Sequence, residues 1–274
     1  MRGSHTAGAL WALVTHGITE FDVVCATSAG ACTVAYFVAR QFHLFDKVWQ
    51  KYLHSGHFIR FQNLFTNRPV MDLDYLLDHV FREKEPLDTE AIRRSPTLFY
   101  ITATDCETGK THYFNNREHP ILPALKATAA LPLVYRNAVV IDGRRYMDGG
   151  LTDPIPVQKA IDAGCDEIWV LLTRPPGYRK SPPLVPLVPK FYEQSHPVLA
   201  KVIAAQHETY NEALARVERA ELPCRLRVIR PEVKLPISRL TANRERILRA
   251  LQQGYKDALL QLDLTHPLKD DKLL

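Results

Sequence analysis

Apolar positions in this chain follow two spacings that alternate along its first two thirds. Residues 5–15, HTAGALWALVT, carry Ala, Leu, Trp and Val at helical spacing and predict a helix. FDVVCAT (21–27) is a continuous apolar run, the pattern of a strand buried on both sides. Residues 29–40 are helical by composition, and 43–54 predict a further helix with Leu44, Val48 and Leu53 inward. MDLDYLLDHVF (71–81) predicts a helix with Asp72 or Asp74 near its start as cap or dipole partner. TLFYITATD (97–105) reads as another buried strand, paired with KTHYF (110–114) in a hairpin across Glu107-Thr108-Gly109. ILPALKATAAL (121–131) predicts a helix stopped by Pro132, and 136–147 a short hairpin turning at Asp142-Gly143. VQKAIDAG is a helix with Gly164 beyond its end, and DEIWVLLT (166–173) is a strand.

This alternation implies an α/β sheet covered on both faces, running to about Thr173. The texture then changes. RPPGYRKSPPLVPLVPK (174–190) is rich in proline and reads as a linker or surface loop. A long helical pattern covers 190–220, RLRVIRP (225–231) is one more strand, and 241–262 is a last helix. The chain thus divides into residues 1–175 and a mainly helical part, 176–274.

The length of 274 residues, 46% hydrophobic and 24% charged, suits one large or two small domains. No apolar stretch approaches the roughly 18–20 residues of a membrane span, and no signal peptide is visible. A net charge of +5 is compatible with an anionic membrane surface or a phosphate-bearing substrate, and equally with neither. The five cysteines, at 25, 32, 106, 165 and 224, form no C-x-x-C pair and read as reduced small hydrophobes of a cytosolic protein. The 11 histidines show no metal-ligand spacing, so no metal is expected.

Two stretches carry candidate chemistry. Ala26-Thr27-Ser28-Ala29-Gly30 places a serine among tiny residues where a strand becomes a helix. A nucleophile needs that tight turn, and the helix behind it puts partial positive charge near an oxyanion. The same residues also suit a serine that merely caps the helix. In RRYMDGGLTDPIPV (144–157), Asp148 follows a short strand and precedes Gly149-Gly150, which also fits an ordinary turn. Asp105 and Glu107 close a strand in the manner of paired carboxylates. Arg174, Arg179, Lys180 and Lys190 flank Leu184, Val185, Leu187 and Val188 in the proline-rich segment. That segment reads as a solvated linker or as a contact with an anionic interface.

Taken together, A-T-S-A-G (26–30), A-T-D-C-E-T-G (103–109), K-A-T-A-A-L-P-L (126–133), D-G-G (148–150) and the opening M-R-G-S-H-T-A-G (1–8) resemble the patatin-like phospholipase family over about residues 1–173. A bacterial group with a helical C-terminal extension is most similar. The resemblance implies a three-layer α/β fold with a mostly parallel sheet, and hydrolysis of lipid or phospholipid esters without a cofactor. Ser28 would be the nucleophile and Asp148 the proton acceptor, with Ala26, Thr27, Gly149 and Gly150 shaping their turns. Asp105 and Glu107 become structural. Ala26 stands where G-x-S-x-G has its first glycine.

Family members carry a glycine-rich loop, G-G-G-x-[KR]-G, for the oxyanion. Met1, Arg2 and Gly3 match its last three positions, beside Ala29 and Gly30. The expectation is that the true start lies upstream or that the loop has been lost. The 274-residue chain is then expected to be a poor catalyst, with an open strand edge at FDVVCAT. Expected partners are a lipid ester and, as an open alternative, a membrane surface in the cytoplasm, with no nucleic acid. Two other readings remain. One is a triad hydrolase using His196, His207 or His266. The other is a non-catalytic lipid-binding or regulatory protein of the same fold without a working oxyanion hole.

Overall fold

A computed structural model of the chain describes residues 1–274 apart from 45–46, 55, 67, 136, 183–186, 220–221 and 264–274. Helix α1 (Gly3–Thr15) leads to strand β1 (Val23–Thr27) and helix α2 (Ala29–Val38). Short helix α3 (Thr89–Arg94), strands β2 (Leu98–Asp105) and β3 (Thr111–Asn115) and helix α4 (Ile121–Ala129) follow. Next come β4 (Val139–Ile141), β5 (Arg144–Asp148), α5 (Val157–Asp162) and β6 (Glu167–Leu171). The last part holds α6 (Leu187–Glu193), α7 (Pro197–Arg219), β7 (Arg225–Ile229) and α8 (Arg244–Gln261). The predicted elements are present at nearly their expected places. The exceptions are local. Residues 43–54 form a short 3-10 turn (Phe42–Leu44) and a wide helical turn (Val48–Tyr52) in place of one helix. The helix expected at 71–81 is a wide-pitch helix at Tyr75–Lys84, with the Asp72 carboxylate accepting from the Tyr75 amide. The long pattern at 190–220 breaks before Pro197.

The sheet is mixed rather than mostly parallel. β1 pairs parallel with β2, whereas β3 and β5 pair antiparallel with β2, and β4 with β5. The β2–β3 and β4–β5 pairings follow from two hairpins, whose Gly109 and Gly143 take φ of 67° and 76°. The register has one consequence for everything that follows. Residues 98–102 of β2 pair with β1, and residues 103–105 pair with β5 on the same edge. Because β1 is parallel to β2 and β5 antiparallel, the two run toward each other and meet. Thr27, the last residue of β1, lies opposite Thr102; Asp148, the last of β5, lies opposite Ala103. α4 packs on β2 and β5, and α2 on β1 and α4.

The last third of the chain is built into this body. β7 pairs parallel with β6 in a separate two-stranded sheet, so the strand read at 225–231 joins one that lies before residue 175. α1 is sandwiched between α2 and α8, and Gly3 to Leu10 are all buried. Two glycines allow this close crossing. A Cβ on Gly8 would stand 1.8 Å from the Leu251 carbonyl oxygen, and one on Gly254 1.9 Å from that of His5. Beside them His5, fully buried, meets the buried Asp257 carboxylate through Nε2 at 2.8 Å. Gln253 donates to the other Asp257 oxygen at 2.7 Å. The arrangement satisfies a carboxylate that would otherwise be an unpaired buried charge.

Gly8→Ala or Gly254→Ala should therefore force α1 and α8 apart and destabilise the protein by about 1–3 kcal/mol or more. Gly56→Ala, where nothing lies within 4 Å of the new methyl, should be near neutral. Thermal melts with limited proteolysis of α8 check this. Equal melting temperatures for the three variants would refute the close-packing account.

Candidate active site

Where β1 runs into β5 it has to turn, and the residue at the turn is Ser28, with φ 56° and ψ −134°. Positive φ in a non-glycine residue stores about 1–3 kcal/mol of strain and persists only when its surroundings hold it. Three contacts do so. The Ser28 amide donates to Thr128 Oγ1 at 2.8 Å, its carbonyl accepts from Ala31 at 3.0 Å, and Thr27 Oγ1 donates to the Asp153 carbonyl at 3.0 Å. The side chain is thereby presented beyond the end of β1, at the start of α2.

The opposing strand is held with equal care. The Asp148 amide donates to Ala130 O at 3.0 Å, and Thr104 Oγ1 donates to the Asp148 carbonyl at 2.9 Å. Gly149 then passes over β2 so closely that a Cβ would lie 2.1 Å from Thr102 O. That approach explains the first glycine of Asp-Gly-Gly. The Gly150 amide donates to Asp148 Oδ1 at 2.7 Å, and Gln206 of α7 anchors the Gly150 carbonyl at 3.0 Å. Asp148 Oδ2 is left for Ser28, whose Oγ donates to it at 2.6 Å.

Asp148 is 2% exposed. Burial raises its pKa above the ordinary carboxylate value, opposed by the Ser28 hydroxyl, Arg239, the Gly150 amide and Lys180. The balance leaves Asp148 with a higher proton affinity than a solvated aspartate. Cys32, one turn beyond Ser28, is no rival nucleophile. Burial, and secondarily the charge of Asp148, pushes its thiol up to about 12.

Ser28 and Asp148 open into a cavity of about 380 Å³ lined mostly by apolar side chains, among them Leu10, Phe37 and Trp49. Arg2, Gly3, Ala26, Thr27, Ala29, Gly30 and Gly150 line it too, so the expected residues are brought together, with Gly149 just behind on β2. Gly30 has nothing within 4 Å of a potential Cβ. Its freedom is not demanded by packing, and the space beside it belongs to the cavity. The amides of Ala29 and Gly30 open α2 and have no carbonyl a turn behind them to bond. β1 was expected to be buried on both sides. In the structure only Ala26 of that strand is buried, because β1 and β6 face each other across the cavity.

No histidine lines the cavity among the described residues. His196 meets Ser195 Oγ, and His207 meets the Ala204 carbonyl and Glu208; His266 lies outside the described residues. Asp105 accepts from the Glu107 and Thr108 amides and pairs with Arg144, a turn-holding role. The basic set of the proline-rich segment does not act as a unit. Arg179 pairs with Glu218 at 2.9 Å, Lys190 is exposed on α6, and Lys180 turns inward with its Nζ buried. Leu184 and Val185 lie outside the described residues. Sequence reasoning missed Thr128, Gln206 and Arg239. Thr128 sits in the quoted K-A-T-A-A-L stretch, but nothing local marks Gln206 or Arg239.

Fold and site together define an α/β protein with a serine elbow facing a buried aspartate. Residues 1–161 match the patatin-like phospholipase family, and the chain belongs to that family. Residues 196–265 match a domain of unknown function, DUF6363. The chain is similar to the uncharacterized protein YjjU of Escherichia coli (strain K12), at 30% identity over 177 residues, 64% of this chain and 49% of YjjU. It thus spans about half the length of that curated relative. Among the described residues no helix is long and apolar enough to cross a membrane.

A raised Asp148 pKa makes its charge a cost to folding above that pKa, relieved as pH falls through it. Asp148→Asn should therefore melt at the same or a higher temperature than wild type at pH 7. The gap should narrow toward about pH 4, where a free aspartate protonates. Urea unfolding of both proteins at both pH values tests this, and an Asn variant markedly less stable than wild type at pH 7 would contradict it.

Proposed function

We propose that the protein is a serine acyl hydrolase of lipid or phospholipid esters, working through a Ser28–Asp148 dyad. The observation that carries the reading is the 2.6 Å hydrogen bond from Ser28 Oγ directly to a buried carboxylate, with no imidazole at the cavity among the described residues.

In this mechanism Ser28 Oγ attacks the ester carbonyl carbon while its proton passes to Asp148 Oδ2. The tetrahedral oxyanion is received at the start of α2, by the amides of Ala29 and Gly30, with Arg2 across the cavity. The Ser28 amide is not a donor here, since Thr128 already occupies it. Collapse expels the alcohol, which takes the proton back from Asp148, and leaves the acyl group on Ser28. Water, deprotonated by Asp148, then attacks the acyl-enzyme; the acyl–Oγ bond breaks, Ser28 Oγ takes the proton back from Asp148, and the fatty acid is released. The apolar cavity accommodates the acyl chain. Phe191, 63% exposed beside Lys190 on α6, supports a peripheral contact with a lipid surface.

Ser28→Ala and Asp148→Asn should each lower hydrolysis of a short acyl ester by at least about three orders of magnitude, because the two act as one unit. His196→Ala and His207→Ala should retain activity. A fluorophosphonate probe should label wild type at Ser28 alone. Labelling at another serine, or full activity in either dyad variant, would sink the reading.

A further inference from the structure

Three basic side chains that follow the patatin-matched segment, Arg174, Lys180 and Arg239, lie close to one another and to Arg2 beside the candidate site. Arg239 lines the same cavity as Ser28 and Asp148, as does Arg2 from the start of α1. Its carbonyl accepts from the nitrogen of Met1 at 2.8 Å, which pins this part of the chain against α1. Lys180 is held by a reciprocal pair of bonds between its backbone and the Asn211 side chain, at 2.7 and 3.0 Å. Arg174 lies over the Tyr178 ring at 4.1 Å, and Lys180 over Tyr210, another cavity residue, at 5.8 Å. Aromatic faces support these cations without using up their N–H donors.

What the four lack among the described residues is an acidic partner. Neighbouring Arg179 and Arg230 both close on Glu218, at 2.9 and 3.1 Å. No described carboxylate lies within 4.0 Å of the charged nitrogens of Arg2, Arg174, Lys180 or Arg239. Lys180 Nζ and Arg2 Nε are buried without any hydrogen-bond partner. Asp148 is the acid whose charge reaches Lys180, and its oxygens already accept from Ser28 and Gly150. Burial, with Arg239, Arg2 and Arg174 nearby, holds Lys180 down to about 7 despite Asp148. Unpaired, partly desolvated like charges repel one another, and an oxyanion placed among them would relieve that repulsion.

We propose that Arg174, Lys180 and Arg239, with Arg2, form a subsite for the phosphate of the substrate's head group. The proposal rests on the hydrolase reading above. A glycerol backbone sets its phosphate only a few bonds from an acyl ester, so a phosphate held here leaves the ester carbonyl within reach of Ser28. The site then selects phosphate-bearing acylglycerols over neutral ones, and the selecting residues come from the segment that follows residue 161.

The test compares a lysophosphatidylglycerol, whose phosphodiester stays singly charged across neutral pH, with the monoacylglycerol of the same chain. Wild type should prefer the phosphodiester in kcat/KM by about tenfold or more, the scale of a charge-assisted contact. Lys180→Gln combined with Arg239→Gln should remove that preference, and Arg174→Gln should reduce it, with melting temperatures checked for each. An unchanged preference in the double variant overturns the subsite. Equilibrium binding of the same two lipids to Ser28→Ala gives a readout free of turnover. If wild type hydrolyses neither ester, the hydrolase reading falls, while tighter phosphodiester binding that depends on Lys180 and Arg239 still upholds the subsite. Inorganic phosphate and the free fatty acid are run as competitors. Either one binding as tightly as the lysophospholipid would overturn the head-group assignment.

Discussion

Two strands cannot continue along one edge of a third when they run toward each other. β1 and β5 share the same edge of β2 and meet between Thr102 and Ala103, so both must leave the sheet there. The departure of β1 needs a small residue at positive φ, and Ser28 supplies it. The departure of β5 needs a residue without a Cβ over Thr102, and Gly149 supplies that. The last side chains before the chains part are Ser28 and Asp148, 120 positions apart in sequence and 2.6 Å apart in space. Their juxtaposition is a consequence of sheet topology, and the local hydrogen bonds with Thr128, Thr104 and Ala130 only hold it steady.

The same meeting point sets the electrostatics. A carboxylate at the end of a central strand is necessarily buried, and burial raises its proton affinity. Full desolvation with no compensation would be prohibitive. Asp148 avoids that through the Gly150 amide, the Ser28 hydroxyl and the more distant charges of Arg239 and Lys180. The arrangement gives up folding stability for basicity at one atom, which is what the proposed role of Asp148 as proton acceptor requires.

The region beyond residue 161 is more than an appendage to this site. β7 completes a two-stranded sheet with β6, α8 crosses α1 at glycine-to-backbone distance, and Gln206 of α7 holds the Gly150 carbonyl. Arg174, Lys180 and Arg239 come from the same region. The elements that present Ser28 and Asp148 therefore lie within the family-matched segment, whereas the charge environment around them is set largely by residues that follow it. In the head-group proposal this division is functional: one segment breaks the ester and the other recognises which ester it is.

Much of this was legible in the chain itself. Short-range signals did their work: glycines with positive φ placed both hairpin turns and the end of α5, apolar spacing placed most helices and strands, and two small-residue motifs marked Ser28 and Asp148. The wide turns between residues 42 and 84, the mixed pairing of the sheet and the incomplete burial of β1 were not legible, since they depend on what packs against each segment. Gln206 and Arg239 carry no local mark, and nothing local tells what Thr128 or Lys180 faces. A threonine on a helix, a glutamine on another and two basic residues in loops look alike in sequence whether they face water or a buried carboxylate. By itself the sequence determined the residues capable of the chemistry and the turns that expose them. Only the tertiary structure decided which distant charges surround them, because that depends on contacts between segments far apart in the chain, which no local pattern encodes.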